Sequence, residues 1–105
     1  MGVVALKKFL ITAISLPGEL ALKQHWNETK KMNFLQKKMF STMGYKHEKL
    51  SENPCILSLT VDNRHIQKTT FVQLLLDEII DALALNGAEK DKDFLIEVSD
   101  GDAKN

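Results

Sequence analysis

Cys55-Ile56-Leu57-Ser58-Leu59-Thr60-Val61 is the most regularly alternating stretch of the chain. Cys55, Leu57, Leu59 and Val61 share one parity, while Ile56, Ser58 and Thr60 share the other. A period of two is the signature of a strand, and here one face is uniformly apolar. Glu52-Asn53-Pro54, just before it, carries turn residues. Tyr45 to Glu52, before that turn, is polar and lysine-bearing, as an edge strand that resists unwanted pairing is.

Towards the N-terminus, Lys7 to Leu16 is rich in Phe, Leu and Ile and is followed by Pro17-Gly18. Phe9, Ile11 and Ala13 alternate with Leu10, Ile14 and Leu16, so both faces are mostly apolar. That pattern predicts a central strand ending at a Pro-Gly turn; a buried helix is the competing reading. Glu19 to Trp26 reads as a short helical lead-in, with a returning strand as the other option. Asn27 to Met43 predicts the first main helix, with Asn27 as cap and Glu28 in its first turn. Met32, Leu35, Met39 and Met43 form one stripe, widened by Phe40, and Gly44 is the stop.

Towards the C-terminus, Asp62 to Lys68 is a polar loop, and Thr70 with Gln73 makes a capping box. The helix that follows runs to Leu85 and stops at Asn86-Gly87. Phe71, Val72, Leu75, Leu76, Ile79, Ala82 and Leu83 give it a broad apolar face, with Asp77, Glu78 and Asp81 on the wet side. Phe94, Ile96 and Val98 alternate with Leu95, Glu97 and Ser99 as a last strand. Residues 1–99 then make a single domain, and residues 100–105 a flexible tail.

The order strand, helix, strand, strand, helix, strand predicts an α+β ferredoxin-like βαββαβ plait: a four-stranded antiparallel sheet with two helices on one face. In that plait the first and third strands are central, and here these two are the most apolar. If Phe9, Ile11, Leu57, Leu59, Phe94 and Ile96 face the helices, then Leu10, Ile14, Ile56 and Leu95 lie on the other side. Four large apolar groups on an open face predict burial against a second copy. The alternative is that residues 19–26, with Leu20, Leu22 and Trp26, fold over that face.

Composition narrows the function more than it names it. The 105 residues carry 14 Lys plus Arg against 14 Asp plus Glu, which excludes a strongly basic nucleic-acid module and an acidic disordered tail. The balance hides a dipole. Residues 1–54 hold nine lysines against four glutamates, and residues 55–105 hold five basic against ten acidic groups. The single cysteine, Cys55, excludes a disulfide within the chain and a four-cysteine zinc site. No run is long enough to span a membrane. Lys7-Lys8 before Phe9–Leu16 mimics a signal peptide, but Val3–Leu6 precede the lysines and no small-x-small site follows, so a cytoplasmic protein is expected.

Catalytic chemistry finds little to work with. His25, His47 and His65 are not spaced as metal ligands, and phosphate-loop, dinucleotide and nucleophile-elbow motifs are all missing. Asp100-Gly101-Asp102 lacks the longer ligand series of a calcium loop. Cys55 begins an apolar strand with no cation assigned beside it, so its thiol should be inert. No catalytic residue, metal or cofactor is assigned, and the chain reads as a non-enzymatic interaction protein acting as a homodimer through Leu10, Ile14, Ile56 and Leu95. Asp77 and Asp81 on the second helix would face an unknown protein partner.

The alternative is an RNA or single-stranded DNA binder. Phe34 falls off the core stripe on the side of Lys30, Lys31, Lys37 and Lys38, where an aromatic could stack on a base while ammonium groups meet phosphates. Arg64 is the one arginine in the chain, which weakens bidentate recognition. The element order is similar to that of the small ferredoxin-like nucleases and antitoxin endoribonucleases of bacterial mobile-element defence. The metal-dependent nucleases of that group use an acidic residue at the end of the first strand. Here that strand ends Ile14-Ser15-Leu16, with no acid, so the resemblance implies the architecture and not the nuclease.

Overall fold

The computed structural model describes residues 4–31, 45–62 and 69–103. Among them lie four strands and two helices in the order β1 (Val4–Ala13), α1 (Leu16–Lys30), β2 (Tyr45–Ser51), β3 (Ile56–Asp62), α2 (Thr69–Leu85) and β4 (Phe94–Ala103). The strands form one antiparallel sheet in the spatial order β2-β3-β1-β4, which is the ferredoxin-like plait. The two apolar strands, β1 and β3, are central because each must be covered by a neighbour on both edges.

Register follows the alternation. Phe9 lies opposite Leu59 and Val98, and Ile11 opposite Leu57 and Ile96. These parities face the helices. Phe9, Ile11, Ala13, Leu57, Leu59, Val61 and Phe94 are buried there with Ala21 and Leu22 of α1 and Ile79 and Leu83 of α2.

α1 starts earlier than the sequence suggests. Ser15 is its N-cap, with Pro17 in the first turn, so Pro17-Gly18 is a helix start and not a turn. Proline suits that position because its missing N–H would be unpaired there anyway. Asn27 is consequently an interior helical residue and caps nothing. The expected stripe from Met32 to Met43 and the stop at Gly44 lie outside the described residues. Residues 19–26 belong to α1 and bury Ala21 and Leu22 in the helix-side core, so they do not cover the opposite face of the sheet.

Thr70 is likewise already helical, because α2 begins at Thr69. The end of α2 matches its signal. Gly87 takes φ 90°, Ala88 N–H donates to Leu83 O at 2.9 Å and Gly87 N–H to Ala84 O at 3.0 Å, which is the Schellman arrangement. β4 continues through Asp100–Ala103, where a tail is expected. β1 begins at Val4, and its backbone pairs Val4–Lys7 with Asp100–Ala103. No described helix is long and apolar enough to cross a membrane.

Candidate functional site: the sheet face opposite the helices

The registers lay out the second face of the sheet in rows that cross from β2 to β4. One row is Lys46, Thr60, Lys8 and Ser99, and the next is Glu48, Ser58, Leu10 and Glu97. A bulge between Lys49 and Ser51 then brings Leu50 and Ser51 to the row of Ile56, Thr12 and Leu95. Ile14 lies just beyond Thr12. The face therefore grades from cationic, through acidic, to apolar.

At the apolar end Ile14 and Leu50 are each 49% exposed and Leu95 is 40% exposed, while Ile56 and Leu10 are half-buried. The structure thus brings Leu10, Ile56 and Leu95 onto one face, with Ile14 at its end, and adds Leu50. Leu50 shares the parity of Lys46 and Glu48, and it escapes the sequence reading because its strand is read there only as a polar edge. Ser58, in the middle row, is 1% exposed, and its hydroxyl has no hydrogen-bond partner. At the cationic end Lys46 pairs with Glu48 at 3.4 Å.

The end of the sheet beneath this patch is held by part-buried polar contacts. Ser15 Oγ donates to Asp93 Oδ1 at 2.7 Å and accepts from Gly18 N–H at 3.1 Å. Asp93 Oδ2 accepts from Glu89 N–H at 2.8 Å, and the Asp93 carbonyl accepts from Ile14 N–H at 2.9 Å. The Glu89 N–H bond, then the Ser15 bond, holds the Asp93 carboxyl below the usual range. Glu19 Oε2 accepts from Cys55 N–H at 2.7 Å, and its Oε1 lies 3.7 Å from Lys23 Nζ. Burial, then the Glu19 carboxylate, pushes the Cys55 thiol up, which makes it a poorer nucleophile.

A second cluster sits on the helix side. The rings of His25 on α1 and His47 on β2 lie 5.3 Å apart, and Trp26 meets His47 edge-on at 5.7 Å. Burial lowers the pKa of both imidazoles, that of His47 to about 4 with further help from His25; Glu28 partly opposes the shift at His25. Twenty-odd residues separate the two histidines, and only the register of β2 under α1 joins them.

Lys30 and Lys31 are exposed at the C-terminal end of α1, while Phe34, Lys37 and Lys38 lie outside the described residues. Asp77 and Asp81 are exposed on α2, and Asp77 Oδ1 accepts from Gln73 at 3.0 Å. His65 is outside the described residues. Among the described residues, no group of three or more His, Cys, Asp or Glu is placed to hold a metal ion. No protein-family model, curated protein or solved structure matches the chain.

Proposed function

We propose that the protein is a non-enzymatic interaction module that acts as a homodimer through the apolar end of its second sheet face. The observation that carries this is the row of Leu50, Ile56 and Leu95, interrupted by Thr12 of β1, with Ile14 at its end and Leu10 in the next row. These five side chains expose on the order of 300 Å² per copy, the size at which an apolar patch on a monomer is commonly functional.

The charge rows favour a second copy and its orientation. A two-fold axis along the strands would set Glu48 of one copy against Glu97 of the other, twice, which costs affinity. An axis across the strands, through the row of Ile56 and Leu95, instead packs apolar end on apolar end. The Lys46 and Lys8 ends are then left in water. That contact is isologous, as a two-fold interface must be. Burying both patches removes roughly 600 Å² of apolar surface, about 15 kcal/mol gross at ~25 cal/mol per Å². Association costs about 4–15 kcal/mol, which leaves roughly 0–11 kcal/mol, so the contact is a reversible one to be sought over a range of protein concentrations.

The test is sedimentation equilibrium of the whole chain from 1 to 200 μM, with Leu95→Asp as comparison. Concentration-dependent dimerisation that Leu95→Asp abolishes, with unchanged far-ultraviolet circular dichroism, supports the proposal. A wild-type monomer throughout the range, or a Leu95→Asp dimer of unchanged Kd, overturns it.

A further inference from the structure

α1 is fastened to the sheet differently at its two ends. Its first turns are held by Ser15 and Asp93, by Glu19 on Cys55 N–H, and by buried Ala21 and Leu22. None of those contacts involves an imidazole, the side chain that ordinarily changes charge between pH 5 and 8. Further along the helix the contact is aromatic: His25 and Trp26 lie against His47 of the edge strand β2. Two of those three rings are imidazoles, the side chain that ordinarily titrates in that range.

We infer that the His25–His47 contact is an acid-sensitive latch that holds the C-terminal half of α1 against β2. Neutral rings pack. Two imidazolium rings 5.3 Å apart repel, and half-buried positions desolvate both charges. The surrounding charges offer limited relief. On α1, Glu28 is the carboxylate that acts on His25. On β2, Lys49 shares the face of His47 and is ion-paired with Glu52, while Lys46 and Glu48 pair on the opposite face. On β1, Lys7 shares the helix-side face and adds positive charge. On α2, the acidic Asp77, Glu78 and Asp81 are exposed. Acid therefore loosens the aromatic end of α1 while its capped end stays in place. The latch is independent of the proposed dimer, which uses the other face of the sheet.

Amide hydrogen exchange on the intact protein tests this at pH 7.5 and 5.0, corrected for intrinsic exchange rates. Protection of residues 23–31 and 45–51 is expected to fall about thirty-fold at pH 5.0 relative to residues 16–22, from proton linkage at His47 alone. The variant His25→Phe/His47→Phe should keep the packing and lose the pH response. A wild-type ratio that is the same at both pH values, or a response that persists in the double variant, overturns the latch. If the double variant does not fold, imidazole titration of the wild type by NMR decides. Depressed midpoints for both rings support the latch; midpoints at the ordinary 6.5 refute it.

Discussion

Gly18 lies directly under the carbonyl of Asp93: a Cβ on Gly18 would stand 1.8 Å from that oxygen and 2.8 Å from its carbon. Both obstacles are backbone, and the same carbonyl already accepts from Ile14 N–H. The close approach is what lets the first turn of α1 cross the start of β4. Gly18→Ala should therefore force the two segments apart and cost about 3 kcal/mol, at the upper end of overpacking penalties. The urea midpoint of the variant checks this. Ser15→Ala, which removes the cap and the bond to Asp93 but adds no clash, should cost less, about 1 kcal/mol. Equal stability of Gly18→Ala and wild type would mean that the contact is looser than the structure has it.

Ser58 makes the opposite prediction. Its hydroxyl is buried between Glu48 and Leu10 on the second face of the sheet and bonds to nothing in the single chain. A buried hydroxyl without a partner is destabilising, so Ser58→Ala should stabilise the monomer by about 1 kcal/mol. Thermal melting at low protein concentration reads this out. A loss of stability would mean that the hydroxyl has found a partner in solution.

The sheet was legible because its signal is local. Phe9 and Ile11, or Leu57, Leu59 and Val61, alternate over a few residues, and alternation alone decides which face each takes. The start of α1 was hidden because Pro17-Gly18 fits both a turn and a helix N-terminus. What chooses the helix is Ser15 capping Gly18 N–H while bonded to Asp93, a residue 78 positions away. The helix pattern itself gives little warning, since Leu16 and Leu20 are exposed and only Gly18, Ala21 and Leu22 are buried. The open-face residues Leu10, Ile56 and Leu95 followed from parity. Leu50 has the parity of Lys46 and Glu48, but a lone leucine in a polar edge strand offers no apolar alternation to sort. The His25–His47 contact needed both the true start of α1 and the β2 register, neither of which is a local property.

The buried imidazoles also set how global stability depends on pH. The pKa of His47 falls from 6.5 to about 4 on folding, so the folded state disfavours the proton that the unfolded chain accepts. Its contribution is fully present above pH 6.5 and is lost as pH falls through the interval from 6.5 towards 4. At ~1.4 kcal/mol per unit, the loss from His47 is about 3 kcal/mol, and His25 adds in the same direction. Asp93, whose pKa is lowered from 3.8, acts only at pH values below that window. Urea unfolding at pH 7.5, 5.5 and 4.5 should show a steady decline that is largely removed in His47→Phe. A flat profile down to pH 4.5 would contradict the burial of both rings.

Cys55 offers a probe of the core that needs no ligand. It is fully buried, its thiol is pushed up first by burial and then by the Glu19 carboxylate, and its own N–H holds that carboxylate in place. A thiol must ionise and be reached before it attacks a disulfide reagent. Labelling by an aromatic disulfide at pH 8 should consequently be at least about a thousandfold slower in the native protein than in urea, given the ~5 kcal/mol or more that separates folded from unfolded small domains. Glu19→Gln keeps an oxygen for Cys55 N–H and removes the charge, so labelling of the native state should stay limited by opening and change little. Labelling of the native protein at the rate of the unfolded chain would show instead that the β2–β3 turn opens around Cys55 without global unfolding.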